Sequence, residues 1–139
     1  MKFGGRMVAV LGLTLAAAAC GSGDAAPAGE RGDRAPSVEP TGTVHEVTMA
    51  SIGGERFGPD ELTVQRGDVV RFVLESGVHN VSFPADVNVA GVALPEASPF
   101  LQVPGQHHDI LIDMPAGEYT FHCDPHVFLG MVGKLTVLD

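Results

Sequence analysis

Residues 118–131, which read EYTFHCDPHVFLGM, carry the most specific pattern in the chain and decide the fold expected of it. Within them, Cys123, His126 and Met131 place a thiol, an imidazole and a thioether at the spacing C-x2-H-x4-M. Thiolate and thioether sulfurs are soft ligands, and imidazole suits copper and zinc. The stretch therefore predicts a site for a soft metal ion that also accepts nitrogen ligands.

Hydrophobic alternation places these groups against a core. Read as a β-strand, the residues before the motif put Tyr119, Phe121 and Cys123 on one face. In the segment 79–83, His79 shares its face with two apolar residues in the same way. Both side chains are thus expected at the inner, apolar edge of a strand, which a metal site on an open surface would not require.

A second histidine completes a set of four candidate ligands: His79, Cys123, His126 and Met131. Two histidines and a thiolate in one plane, with a weak axial thioether, form the ligand set of a type 1, or blue, copper ion that exchanges single electrons. Zinc remains the alternative, because two histidines and one cysteine also suit zinc if the methionine takes no part. The thioether favours copper, since structural zinc sites are built from thiolate, imidazole and carboxylate.

Residues 119–126 together with 130–137 resemble the C-terminal signature of the plastocyanin-like cupredoxins, with the prokaryotic halocyanins nearest. The resemblance extends over residues 44–139. It implies one type 1 copper ion per chain and the transfer of single electrons between redox proteins that dock near His126. Four protein ligands leave no open position for a substrate, so we expect an electron carrier and not an enzyme.

The resemblance also assigns roles around the metal. Asn80 is expected to tie the two ligand-bearing loops together and to direct its backbone N–H at the cysteine sulfur. Pro125 lacks a backbone N–H and so limits hydrogen bonding near that sulfur. A docking surface for partners is expected beside the second histidine, formed by Val127, Phe128 and Leu129. The alternative for Phe128 is that it packs inward.

The four other histidines are not expected to bind the metal; they are His45, His107, His108 and His122. Plant plastocyanins carry tyrosine before the cysteine ligand, where this chain has His122, so their partners are not assumed for it. We interpret His122 as an exposed strand residue. His107 and His108 precede a predicted strand and are expected to be solvated, with accessory copper loading as the alternative.

Composition predicts many short strands. Eighteen glycines and ten prolines argue against a helical bundle. We therefore expect an all-β fold of the cupredoxin type, a Greek-key β-sandwich or barrel of about seven to eight strands. Residues 84–104 are the least regular part and are open to a short helix or a loop. The predicted strands are 44–50, 61–65, 69–75, 79–83, 109–113, 119–123 and 133–138.

The N-terminal part of the chain has a different character. Residues 1–19 have a basic start and an apolar run too short to span a membrane, which predicts a signal peptide. The three alanines before Cys20 resemble a bacterial lipobox, so Cys20 is expected to carry lipid and anchor the protein to a membrane. Ordinary cleavage after Ala19 is the alternative. Residues 20–43 predict a flexible tether to one folded domain at 44–139.

The net charge and the predicted export of the chain restrict the partners and the location that we expect. A formal net charge of -9 argues against nucleic-acid partners. We expect a monomeric electron carrier between redox partners on the periplasmic or extracellular side of a bacterial cell envelope. A disulfide between Cys20 and Cys123 is not expected, because each cysteine has a separate role.

Two other functions remain open. A copper-binding or copper-delivery lipoprotein would need exposed, labile ligands, and the core-facing cysteine argues against it. A subunit of a copper oxidase or nitrite reductase would need a second domain or further histidine ligands.

Overall fold

The computed structural model describes residues 40–139. The predicted signal peptide, Cys20 and most of the tether lie outside the described residues. None of the residues from 40 onwards forms a helix with the length and apolar character needed to cross a membrane. The elements are β1 Val44–Ala50, β2 Arg56–Gly58, β3 Glu61–Gln65, β4 Val69–Leu74, β5 His107–Leu111, β6 Gly117–His122, the 3-10 helix η1 Asp124–Leu129 and β7 Val132–Leu138.

The strands form two sheets, one in the order β2-β1-β4-β5 and one in the order β3-β7-β6. The predicted all-β sandwich is therefore confirmed. β1 and β4 run parallel, with Val47 opposite Phe72, and β3 and β7 are also parallel, whereas the other paired strands are antiparallel. Parallel pairing brings the C-terminal ends of β1 and β4 to the same edge of their sheet. The segments that follow both strands consequently meet there.

Alternating side chains fill the space between the sheets. In β4, Val70, Phe72 and Leu74 are buried, and the residues between them are partly exposed. Phe121 of β6 meets Phe57 and Phe72 edge to face, with ring centroids 4.8 and 5.3 Å away. Burying one such ring contributes roughly 1.5–3 kcal/mol. This aromatic cluster therefore joins β6 firmly to the opposite sheet.

A glycine in β7 lets that strand lie directly against the aromatic cluster. A Cβ atom at Gly133 would stand 2.2 Å from the ring of Phe121 and 2.9 Å from the carbonyl oxygen of Asp60. No side chain fits in that space, so glycine is required by close packing. The contact holds Phe121 in place, and with it the end of β6 that leads into Cys123.

The segment 79–83, predicted as a strand, is not one. It makes only isolated bridges, through His79 to Leu101 and through Ser82 to His122. The N–H of Val81 between them donates to the hydroxyl of Ser98 at 2.9 Å. A serine side chain thus replaces the neighbouring strand that a ladder would need.

Other differences from the sequence prediction are local. Alternation does not indicate β2, because three residues are too short to show a period. It does not indicate η1 either, since the helix follows directly on a strand. β4 ends at Leu74 and β5 spans His107–Leu111, so both are offset from the predicted bounds. Residues 84–104 contain no helix or strand, which decides between the two alternatives in favour of a loop.

Candidate metal centre

Three side chains from two distant segments converge at one end of the sandwich. The Nδ1 atoms of His79 and His126 lie 3.1 Å apart. The sulfur of Cys123 lies 3.6 Å from the first of these nitrogens and 3.4 Å from the second. All three donor atoms lie within 4.8 Å of one another, which is the arrangement of a site that could hold a metal ion. His79 and Cys123 are completely buried.

The connection from β6 to β7 is a closed loop of backbone hydrogen bonds. The N–H of His126 donates to the carbonyl of Cys123 at 3.0 Å, and the N–H of Met131 donates to the carbonyl of His126 at 3.2 Å. The N–H of Cys123 donates in turn to the carbonyl of Met131 at 3.1 Å. Gly130 takes a left-handed conformation, φ 87°, that ends η1 and turns the chain back. The spacing C-x2-H-x4-M is therefore the spacing that closes this loop.

Pro125 stands at the start of η1. The first N–H groups of a helix have no partner within it, so proline is tolerated there. The side chain of Met131 is completely buried at the end of the same loop. Its backbone bonds to both Cys123 and His126 place it next to the converging donors.

Asn80 joins the two segments that carry the donors. Its amide nitrogen donates to the Asp124 carboxylate at 2.6 Å, and its amide oxygen accepts the N–H of Asp124 at 2.9 Å. Its backbone N–H also opposes the rise in the pKa of the Cys123 thiol. The reciprocal pair keeps the segment after β4 in register with the loop after β6. The other oxygen of Asp124 lies 3.0 Å from Nε2 of His122.

Burial sets the protonation of the donors. It raises the pKa of the Cys123 thiol, and the backbone N–H groups of Asn80 and His126 oppose that rise. It lowers the pKa of His79, and the nearby Glu55 carboxylate opposes that shift. The cluster at neutral pH therefore contains a thiol and a neutral His79 ring. A metal ion at this point would take the place of the thiol proton and would be held by two ring nitrogens and a thiolate.

The donor set fits copper. Imidazole nitrogen and thiolate sulfur suit both copper and zinc, and the buried Met131 in the same loop offers a thioether, which suits copper. Of the remaining histidines, His107 and His108 are in β5, His45 in β1 bonds to Asp68, and His122 lies against the Asp124 carboxylate. Among the described residues, the group of potential metal ligands is His79, Cys123 and His126.

Two residues at this site were missed by the sequence analysis. Ser51 follows β1, and its Oγ lies 3.2 Å from Nε2 of His79. Glu55 accepts the Ser51 hydroxyl at 2.9 Å, and its Oε2 lies 3.5 Å from Nε2 of His79 and from Nδ1 of His126. No spacing in the sequence indicates these contacts, because they depend on the pairing of β1 with β4.

Apolar residues surround the exposed edge of the site. The side chain of His126 is 22% exposed, whereas Phe128 and Leu129 are 97% and 68% exposed. Val127 is partly exposed. Phe128 therefore points outward, and its alternative inward packing is not what the structure has.

Comparison with known proteins agrees with this geometry. A family described as copper binding proteins, plastocyanin/azurin family, matches residues 44–138. Chloroplastic plastocyanin of Oryza sativa subsp. indica is 38% identical over 96 residues, covering 66% of this chain and 62% of that protein. Plastocyanin of Vicia faba is 38% identical over 94 residues, covering 63% of this chain and 93% of that protein. The match thus spans less than two thirds of the rice protein's length.

Solved structures show the same fold. Oxidized plastocyanin from Dryopteris crassirhizoma aligns with a TM-score of 0.55 and 28% identity, covering 68% of this chain and 100% of that one. Native pseudoazurin from Hyphomicrobium denitrificans aligns with a TM-score of 0.56 and 27% identity, covering 68% of this chain and 75% of that one. The predicted resemblance to plastocyanin-like cupredoxins and the predicted copper cofactor are confirmed. The chain belongs to the plastocyanin/azurin family of copper-binding proteins.

Proposed function

We propose that this protein is a blue-copper electron carrier that passes single electrons between redox proteins. The observation that carries the proposal is the convergence of two imidazole nitrogens and one thiol sulfur at a buried point. A copper ion bound there supplies one-electron exchange between Cu(II) and Cu(I). The ligands we propose are His79, Cys123 and His126, with Met131 as a weak axial ligand.

The surrounding hydrogen bonds support this function because they hold the donors in one arrangement. The loop between Cys123 and Met131 is closed by its own backbone, and Asn80 ties it to the segment of His79. A site that keeps its shape in both oxidation states needs little rearrangement when an electron enters or leaves. We infer that these residues occupy all the positions around the metal, so that the protein acts as a carrier and not as an enzyme.

The decisive experiment is to load the purified full-length chain with Cu(II) and record its visible spectrum. We expect an intense blue band from charge transfer between thiolate and copper, which Cys123→Ser abolishes. His108→Gln is the matched control, since this partly buried histidine of β5 is not one of the converging donors, and it should keep the band. A colourless complex in the wild type would refute electron transfer and favour the zinc or copper-delivery reading.

We further propose that partners dock on the apolar surface made by Val127, Phe128 and Leu129, and that the electron passes through the exposed edge of His126. Exposed apolar patches of this kind mark interaction sites. Phe128→Asp should slow electron exchange with a redox partner at least several-fold and leave the blue band unchanged. Leu138→Asp is the control, because Leu138 is 43% exposed at the other end of β7, roughly 20 Å along the strand. Equal slowing by both variants would mean that Phe128 has no special part in docking.

The remaining proposal concerns location. The apolar start of the chain and the lipobox-like residues before Cys20 support export to a bacterial cell envelope and lipidation of Cys20, with a monomeric domain on a tether. Mass spectrometry of the mature protein should find acyl chains on Cys20. Cys20→Ala should move the protein from the membrane fraction to the soluble fraction. An unmodified N-terminus in a soluble wild-type protein would instead support ordinary cleavage after Ala19.

A further inference from the structure

Beyond the four proposed ligands, a hydroxyl and a carboxylate lie near Nε2 of the His79 ring. Ser51 Oγ is 3.2 Å from Nε2 of His79, the ring nitrogen that faces away from Cys123. The Ser51 hydroxyl donates to Glu55 Oε2 at 2.9 Å. These three groups form a chain that runs from the buried ring to a carboxylate that is 22% exposed.

The protons in this chain can be assigned from hydrogen-bond counting. A serine hydroxyl has one proton, and here Glu55 receives it. Towards His79, the oxygen of Ser51 can therefore only accept, so Nε2 of the ring must carry the proton. In a neutral imidazole, a proton on Nε2 leaves Nδ1 with a free lone pair. That lone pair faces the sulfur of Cys123 and the ring of His126.

The backbone is shaped to admit this contact. Gly77 has a φ of +89°, and a Cβ atom there would stand 2.0 Å from Ser51 Oγ and 2.9 Å from Nε2 of His79. The hydroxyl of Ser76 anchors the Ser51 backbone by accepting its N–H at 3.0 Å. Ser76 thus fixes the Ser51 backbone, and the glycine leaves room for the Ser51 hydroxyl against the ring.

Glu55 adds a negative charge beside the site. Its Oε2 lies 3.5 Å from ring nitrogens of both histidines. The next residue, Arg56, directs its guanidinium to the carbonyls of Ile52 and Gly54. Because the carboxylate is mostly buried, water screens it less than it screens a surface charge.

We propose that Ser51 and Glu55 are positioning residues of the metal centre. Ser51 fixes the His79 ring with Nδ1 free for the metal, and the Glu55 carboxylate lowers the reduction potential of the bound copper. The proposal rests on the copper function put forward above. Reduction adds one electron from a redox partner to Cu(II) and gives Cu(I) with no proton transferred. The positive charge of the site falls by one, and a fixed negative charge nearby disfavours that step.

The Glu55 half is tested by the reduction potential of the copper-loaded full chain. Glu55→Gln keeps the shape and an acceptor oxygen for Ser51 but removes the charge. We expect the blue band to remain and the equilibrium for reduction to rise at least about tenfold, a shift of about 59 mV upward. Glu118→Gln is the charge-matched control, since Glu118 lies on the same strand as His122, roughly 16 Å from Cys123, and should shift the potential far less. A Glu55→Gln potential equal to that of the control would overturn this half.

The Ser51 half is tested without metal. Nitrogen-15 NMR of the copper-free protein should show the His79 ring as one tautomer, with the proton on Nε2. The backbone of Ser76 also favours a proton on the ring, so in Ser51→Ala we expect the fraction of the Nε2–H tautomer to fall. If that fraction is unchanged, Ser51 does not fix the ring and the proposal for Ser51 is wrong.

The two measurements also separate this inference from the proposed function. A wild-type protein that forms no blue complex refutes electron transfer, and with it the role of Glu55. The NMR result on the copper-free chain still decides the role of Ser51. If the wild-type protein is blue but Glu55→Gln leaves the reduction potential unchanged, only the role of Glu55 is refuted.

Discussion

The two ends of the β1/β4 pair carry clusters of the same three functional groups with different chemistry. At the N-terminal end, Asp68 accepts a hydrogen bond from the hydroxyl of Thr41 at 2.5 Å and lies 2.7 Å from Nε2 of His45. At the C-terminal end, Glu55 receives the hydroxyl of Ser51 at 2.9 Å. His79 lies beside that pair. Each cluster therefore has a hydroxyl, a carboxylate and a histidine.

The two clusters differ in the groups that surround the histidine ring. In the first cluster, Thr41 and His45 both bond to the Asp68 carboxylate, which also accepts a hydrogen bond from the N–H of Gln65 at 2.9 Å. At the other end, the free side of His79 faces the nitrogen of His126 and the sulfur of Cys123. Atoms with lone pairs that converge in this way call for a cation, whereas the Asp68 cluster is satisfied by hydrogen bonds alone. Residue types do not distinguish a structural cluster from a metal site, but the direction of the lone pairs does.

The largest expected effect is stabilisation by copper. A ligand that binds only the folded state adds about 4 kcal/mol to the free energy of unfolding when its free concentration is 1,000 times its Kd. Chemical unfolding with and without copper should show such a gain in the wild type and lose most of it in Cys123→Ser. His45→Gln, which alters the other cluster, should keep the gain. A gain that survives in Cys123→Ser would mean that copper binds elsewhere.

The next effect concerns the Asp68 cluster. Asp68→Ala leaves the donors of Thr41, His45 and Gln65 without their acceptor, and we expect a loss of about 3 kcal/mol in the free energy of unfolding. Urea unfolding of the metal-free protein measures it. The blue copper band should be unchanged, because this cluster lies at the other end of β4. Asp86→Ala, at an exposed position in the loop, is the control and should cost less than about 0.5 kcal/mol. A changed band in Asp68→Ala would show that the two ends are coupled.

A smaller effect separates backbone strain from the contact at the metal end. Gly77 and Gly91 have φ values of +89° and +80°, but a Cβ atom meets Ser51 and His79 only at Gly77. Alanine at either position should cost about 1–2 kcal/mol from the left-handed backbone conformation. Gly77→Ala should cost more than Gly91→Ala and should also alter the copper spectrum. Identical spectra in both variants would argue that the Ser51 contact does not position His79.

The smallest effect is the response to acid. Burial alone would raise the pKa of Asp68, but hydrogen bonds from Thr41, the Gln65 N–H and His45 outweigh it and lower the pKa below 3.8. The stability from this carboxylate is present above the unfolded-state pKa and is lost as pH falls through the folded-state pKa. The slope of unfolding free energy against pH below about pH 4 should therefore be smaller in Asp68→Asn, by at most about 1.4 kcal/mol per pH unit. An unchanged slope would contradict the lowered pKa.

Much of the architecture could be predicted because it depends on local pattern. Alternation located most strands within two or three residues, and the buried positions of Tyr119, Phe121 and Cys123 agree with it. Two segments were not predicted correctly. β2 is too short to have a period, and the segment 79–83 is apolar enough for a strand but bonds to the side chain of Ser98.

The candidate site likewise has a part that local sequence predicted and a part that depends on the fold. The sequence by itself determined the spacing of Cys123, His126 and Met131, because these residues lie in one short loop that its own backbone hydrogen bonds close. The sequence also named His79, 44 residues before Cys123, as a candidate ligand, and the fold brings it to the same point. Only the tertiary structure decided that Ser51 and Glu55 stand beside that ring. The physical reason is the parallel pairing of β1 with β4, which joins residues far apart in sequence and leaves no periodic trace of the contact.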